Sequence, residues 1–131
     1  EILDTTYMTL EHLRGKIEVQ EFSQGLESIW VLIRKANAYV DAQAPWALKK
    51  TDPMRMDTVL YVLAEVIRNV ALLSQPFMPT ASEKILNQLT IKQDNRTFLS
   101  FGKNSALKEG HQLLKPDAIF PRLYDDTILS E

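Results

Sequence analysis

The chain has 131 residues, of which 45% are hydrophobic and 24% charged, and it contains no cysteine. This composition is typical of one soluble globular domain, long enough to bury a core. The missing cysteines exclude disulfides, cysteine-based zinc sites and thiol catalysis, and they fit a reducing compartment such as the cytoplasm. Two histidines and no long apolar run give no support for a histidine-dominated metal site or a membrane span.

The net charge of −2 conceals a segregation of charge along the chain. Residues 1–33 carry two cations against six carboxylates, whereas residues 84–122 carry seven cations against three carboxylates. Such a field could guide a polyanion to one side of the fold. Charge runs of this size are also common on soluble surfaces, so both interpretations stay open.

Apolar residues recur at helical spacing through the first part of the chain. The pattern predicts one helix over 2–17 and a second over 19–43. In the second helix, steps of three and four residues lead from Phe22 through Ile29 to Val40, a seam with the periodicity of bundle packing.

Capping residues place two further helices. Asp52 is expected to cap a third helix over 53–74, whose broad apolar stripe indicates that it is the central one. Thr80 and Glu83 are expected to form a capping box for a fourth helix over 80–89.

From about residue 91 the periodic pattern fades, and we expect an extended tail with a short helical turn at 105–110. The fold prediction is therefore all-α: an up-and-down antiparallel bundle of about four helices with a C-terminal extended tail, in one domain over 1–131.

Sequence motifs for catalysis are missing. The four glycines form neither a phosphate-binding loop nor a dinucleotide fingerprint, and no His-Glu-x-x-His or Gly-x-Ser-x-Gly motif occurs. His12 is expected on a charged helix face and His111 in a surface loop. We therefore predict no catalytic residue, no metal site and no cofactor within this chain.

The segment 36–50 is the most informative, because Pro45 interrupts a helix pattern and Trp46 follows at once, close to Lys49 and Lys50. Proline lacks an amide hydrogen and disfavours helical geometry in the residue before it, so Pro45 is expected to end or kink the helix. An aromatic ring on such a turn, near cations, can stack on an unpaired nucleic-acid base.

The run Ala-Asn-Ala-Tyr-Val-Asp-Ala-Gln-Ala-Pro-Trp at 36–46 resembles the C-terminal anticodon-binding domain of methionyl-tRNA synthetases. The likeness continues at Lys50, at Gln-Pro-Phe-Met-Pro over 75–79 and at Ile-Phe-Pro-Arg-Leu over 119–123. The resemblance implies a parent methionine–tRNA ligase that uses ATP and Mg. It also implies two partners, the tRNA for methionine and the catalytic domain, and no membrane or DNA.

The resemblance further implies roles for five residues. Trp46 receives the unstacked bases of the CAU anticodon and Pro45 positions it, while Asn37 and Asp41, one helical turn apart, could face the same groove. Asparagine can donate and accept at a base edge, an aspartate can accept from a cytosine amino group, and Lys50 could contact a phosphate. The family's first domain helix, with its Asn and Arg, and the catalytic domain are not matched in this sequence.

Two alternatives stay open. Trp46 could be a buried hinge residue, with the chain serving as a structural docking module without RNA contact. The chain could also be the anticodon domain of another class I synthetase. Trp30 is expected to be a core or helix-packing residue.

Overall fold

A computed structural model describes residues 2–18, 21–115 and 119–120, and these residues form helices and turns with no strand among them. Five α-helices follow one another as α1 (Ile2–Glu18), α2 (Phe22–Gln43), α3 (Pro45–Thr51), α4 (Pro53–Ser74) and α5 (Pro79–Gln88). Short 3-10 turns lie at Gln93–Asn95, Phe98–Ser100 and Lys103–Ser105. The predicted all-α up-and-down bundle is confirmed. None of these helices is both long and apolar enough to cross a membrane.

Helix α4 is central, as its apolar stripe predicted, because it contacts α1, α2, α3 and α5. Its start is capped as expected: the Arg55 backbone N–H donates to Asp52 Oδ1 at 3.1 Å, and Pro53 occupies the first turn, where its missing donor costs nothing. One face of α4 carries buried apolar side chains from Val59 to Leu73, whereas Leu60 and Ile67 on its other side are exposed.

Helices α1 and α2 approach closely at Gly25, where a Cβ atom would lie 2.9 Å from Leu13 Cδ1. The buried face of α2 therefore passes through Gly25, Ile29 and Leu32. The predicted seam was wrong at its first position, because Phe22 is 53% exposed. The close approach at glycine moves the line of contact away from Phe22.

Two local predictions in the second half were wrong. Helix α5 begins at Pro79 with Met78 in the capping position and no side-chain cap, so Thr80 lies inside the first turn and forms no capping box. The predicted helical turn at 105–110 is absent as such: a 3-10 turn lies earlier, at Lys103–Ser105, after Gly102 with φ of 100°. The predicted range holds only a turn at 109–110, where the His111 N–H donates to the Lys108 carbonyl at 3.2 Å. Of the 119–123 motif, only its first two residues belong to the described part of the chain, and the other three lie outside it.

The tail is fastened to α4 by buried charged and amide side chains. Arg68 donates to both oxygens of Glu65, from Nε at 2.9 Å and from Nη2 at 2.6 Å, and both side chains are almost fully buried. Arg68 also donates from Nη1 to the Ser100 carbonyl at 2.7 Å and from Nη2 to the Gly102 carbonyl at 3.0 Å. One guanidinium thus joins the central helix to two residues of the tail.

Asn69 and Glu65 bind the tail by accepting from its backbone. The Gly102 N–H donates to Asn69 Oδ1 and the Leu107 N–H to Glu65 Oε2, each at 3.0 Å. From α1, the Tyr7 hydroxyl donates to Glu65 Oε1 at 3.3 Å. Burial and the neighbouring Glu65 carboxylate raise the pKa of Tyr7 to about 12. We call Tyr7, Glu65, Arg68 and Asn69 the polar clamp.

Candidate nucleic-acid interface

The chain turns sharply between α2 and α3 at Ala44, which adopts a left-handed conformation with φ of 44° and ψ of 64°. The Ala44 N–H donates to the Val40 carbonyl at 2.9 Å and so closes α2, while Pro45 opens α3 with a φ suited to a helix start. The prediction that Pro45 ends the helix is confirmed. Helix α3, which begins at Pro45 itself, was not predicted, because its seven residues are too few to show a periodic apolar pattern.

The indole of Trp46 lies at the second position of α3 and is 64% exposed. Within this chain, the exposed indole does not fit the alternative in which Trp46 is a buried hinge residue. Tryptophan is highly buried on average, and its ring, with an apolar body and a polar N–H group, is enriched at interfaces, so an exposed indole is suited to a binding surface. Its use as a base platform stays a prediction.

Lys50 follows Trp46 by four residues on α3, so the two side chains lie on one face of the helix. Lys49 and Lys50 are both exposed and occupy the last turn, where cations interact favourably with the helix dipole. Within the described residues, neither lysine forms an ion pair. An ammonium group is therefore available about one turn from the indole.

Asn37 and Asp41 lie on the last turns of α2, four residues apart, and both are exposed. Among the described residues, neither side chain forms a hydrogen bond that would occupy it. We call Asn37, Asp41, Pro45, Trp46 and Lys50 the α2–α3 corner. Four of its five side chains are exposed and Pro45 is half-buried, so all five predicted site residues lie at or near the surface of two consecutive helices.

Two residues that support the corner were missed in the sequence. Arg55, in the first turn of α4, donates from Nη2 to Gln43 Oε1 at 2.8 Å and so joins α4 to the end of α2 across α3. Gln43 also lines an open groove of about 620 Å³ with Lys35 and Tyr39. Arg55 and Gln43 are 12 residues apart, so no local spacing could have paired them.

Trp30 was predicted to lie in the core or in helix packing, but its side chain is 42% exposed, so a core position is wrong. It lies one residue after the buried Ile29, and the apolar pattern alone did not show that the buried face ends there. The chain thus carries two exposed tryptophans, and only Trp46 lies at the helix junction.

The comparisons with known proteins agree on one family. The family described as the anticodon binding domain of methionyl tRNA ligase matches residues 1–130. Methionine–tRNA ligase of Rickettsia felis is 43% identical over 112 residues, which cover 86% of this chain and 22% of the relative. The corresponding protein of Brucella suis is 43% identical over 121 residues, covering 92% of this chain and 23% of the relative.

Solved structures give the same result. The free form of Mycobacterium tuberculosis methionyl-tRNA synthetase superposes with a TM-score of 0.89 at 38% identity, over 95% of this chain and 25% of that protein. Its complex with methionyl-adenylate superposes with a TM-score of 0.88 at 39% identity, over 92% of this chain and 24% of that protein. The chain therefore spans about a quarter of the length of these relatives. The chain belongs to the family of anticodon-binding domains of methionyl-tRNA ligase.

Proposed function

We propose that this chain binds the CAU anticodon of the tRNA for methionine. In this proposal Trp46 stacks on an unstacked anticodon base and Pro45 fixes its position at the start of α3. Asn37 and Asp41 contact base edges, and Lys50 contacts a backbone phosphate. The parent protein is then a cytoplasmic methionine–tRNA ligase whose catalytic domain attaches methionine to the tRNA that this chain holds.

The observation that carries the proposal is the exposed indole at the helix junction, with a lysine one turn away on the same helix. Base–aromatic stacking contributes about 1–3 kcal/mol per base. The hydrogen bond from Arg55 to Gln43 links the first turn of α4 to the end of α2, on either side of α3. A platform held in place before binding loses less conformational freedom when RNA binds.

ATP and Mg belong to the catalytic domain in this proposal. Among the described residues, no cluster of three or more His, Asp or Glu side chains could hold a metal ion, and the four glycines of the sequence form no phosphate-binding loop. We assign no chemical step to this chain. Its contribution is to hold and select the tRNA.

The test compares anticodon stem-loops that differ only in the three anticodon bases. Trp46→Ala is expected to weaken binding of the CAU stem-loop by about 5- to 150-fold, which is the loss of one stacked base. Because Trp46 is exposed, the free energy of unfolding should change by less than about 0.5 kcal/mol. Trp30→Ala is the matched control: it also removes an exposed indole, but from the middle of α2, and should leave the preference for CAU intact.

Each alternative function predicts a different result. A structural docking module binds CAU and scrambled stem-loops equally weakly and is unaffected by Trp46→Ala. The anticodon domain of another class I synthetase prefers a different anticodon. If Trp46→Ala unfolds the domain as a core deletion does, the indole is a packing residue and the proposed platform is wrong.

A further inference from the structure

A polar cavity of about 460 Å³ lies beside the polar clamp, between the end of α5 and the 3-10 turns of the tail. Its wall carries two lysines, Lys92 and Lys108, and the amide or hydroxyl side chains of Asn95, Asn104 and Ser105. No Asp or Glu lines it within the described part of the chain. The lining therefore has several hydrogen-bond donors and no carboxylate to repel an anion.

The donors in this wall are available. Among the described residues, the side chains of Lys92, Asn95, Asn104, Ser105 and Lys108 form no hydrogen bond or ion pair. The two lysines and two asparagines are exposed, so an anion can reach them from solvent. Their segment is also the basic part of the chain, with seven cations against three carboxylates over 84–122.

The charge of the nearest buried carboxylate is already compensated. Arg68 lines the cavity, and its contacts at 2.6 and 2.9 Å neutralise Glu65. Glu65 also accepts from the Leu107 N–H at 3.0 Å. The charge that an incoming anion meets is therefore set by Lys92 and Lys108 rather than by the clamp.

His111 is held at the edge of the same cavity. Its Nε2 lies 2.5 Å from the Leu89 carbonyl oxygen and 2.9 Å from Thr90 Oγ1. Because a carbonyl can only accept, Nε2 carries a proton and donates, which leaves Nδ1 without a partner among the described residues. The ring is fixed at the cavity, so its nuclear magnetic resonance signals should report an anion bound there.

We propose that this cavity is a phosphate site that takes a backbone phosphate of RNA. Lysine ammonium groups with asparagine and serine side chains are the groups that contact phosphates in nucleic-acid complexes. Arg68 follows Pro53 by 15 residues, about 22 Å along α4 from the start of that helix, so the contact lies away from the anticodon bases. It positions the RNA and carries no base sequence information. The identity of the ligand as RNA rests on the proposed function.

The first test uses inorganic phosphate, with sodium chloride at equal ionic strength as the control. Phosphate should shift the imidazole signals of His111 saturably and leave those of His12 unchanged. The chain has only these two histidines, and His12 lies on α1, beside a different groove. Lys92→Gln should weaken the response of His111. An unchanged His111 signal, or the same shift with chloride, overturns the phosphate site.

The second test measures the affinity for the tRNA for methionine against salt concentration. Lys92→Gln and Lys108→Gln should each weaken binding to all anticodon sequences alike and lower the slope of log affinity against log salt by up to about one. Lys84→Gln, on the exposed side of α5, removes the same charge and should have a smaller effect. If phosphate shifts His111 but the three variants have the same slope, RNA is not the ligand.

These outcomes separate the two proposals. If the anticodon platform is wrong, Trp46→Ala keeps the wild-type preference for the CAU stem-loop. In that case Lys92→Gln and Lys108→Gln still lower the slope of log affinity against log salt. Failure of the phosphate site leaves the salt slopes of the pocket variants equal to that of Lys84→Gln, whatever Trp46→Ala does.

Discussion

The α2–α3 corner and the polar clamp use similar residue types in opposite surroundings. The corner places asparagine, aspartate and lysine on exposed helix faces, where their side chains have no partner among the described residues. The clamp places arginine, glutamate and asparagine in the interior, where the donors and acceptors of one helix are shared with the tail. The polar groups of the corner are therefore free to bind the proposed RNA ligand, whereas those of the clamp are already used within the fold.

Two ion pairs on these helices make the comparison quantitative. Arg34 and Glu27 on α2, and Arg68 and Glu65 on α4, both have a closest N–O distance of 2.6 Å. The first pair is about 60% exposed and the second is buried. Distance alone therefore says little about stability, because water screens the first pair and the protein has replaced water around the second.

The largest effect is expected for Arg68→Met. Removing the guanidinium leaves Glu65 buried without its partner and frees the carbonyls of Ser100 and Gly102. We expect a loss of about 3–5 kcal/mol in the free energy of unfolding, measured by denaturant titration. Arg34→Met is the control and should cost less than about 1 kcal/mol. Similar losses in the two variants would show that burial does not distinguish these pairs.

A smaller loss in the free energy of unfolding is expected when an asparagine side chain is removed from the polar clamp, and a smaller one still when it is removed from the α2–α3 corner. Asn69→Ala leaves the buried Gly102 N–H without its acceptor and should lower the free energy of unfolding by about 1–3 kcal/mol. Asn37→Ala removes an exposed side chain and should stay within about 0.5 kcal/mol. Proteolysis after Phe101 should accelerate in Asn69→Ala alone, because Asn69 holds the tail. Equal protease sensitivity of the two variants would show that Asn69 of the polar clamp does not hold the tail against α4.

The end of α2 at the corner was predictable from sequence because its signal is local: proline at 45 ends the helix, and a spacing of four residues places Asn37 with Asp41 on it. The common face of Trp46 and Lys50 was not predictable by spacing, because α3 is too short to show a periodic pattern. The clamp was missed because its partners are far apart: Arg68 contacts Ser100 and Gly102, 32 and 34 residues later. Glu65 and Arg68 are three residues apart, which is also the spacing of solvent-exposed ion pairs on helices. The sequence of α4 alone therefore does not show that the tail packs over this pair.

The smallest effect concerns the hydroxyl through which α1 joins the clamp. The pKa of Tyr7 is raised from 10.0 to about 12 by burial and by the Glu65 carboxylate, so folding favours the neutral phenol. Its contribution to stability is present in full below pH 10 and is lost as the pH rises towards 12.

Tyr7→Phe keeps the ring and its edge-on contact with Phe101, whose centroid is 6.4 Å away, but has no proton to lose. The unfolding free energies of the wild type and Tyr7→Phe should therefore differ by a constant amount below pH 10, and the wild type should lose more stability than the variant between pH 10 and 12. Denaturant titrations at a series of pH values measure this difference. The effect of lysine titration on stability is common to both chains and cancels in the comparison. A difference that stays constant over the whole pH range would mean that the Glu65 carboxylate does not raise the pKa of Tyr7. The polar clamp would then consist of its α4 residues alone, without Tyr7 of α1.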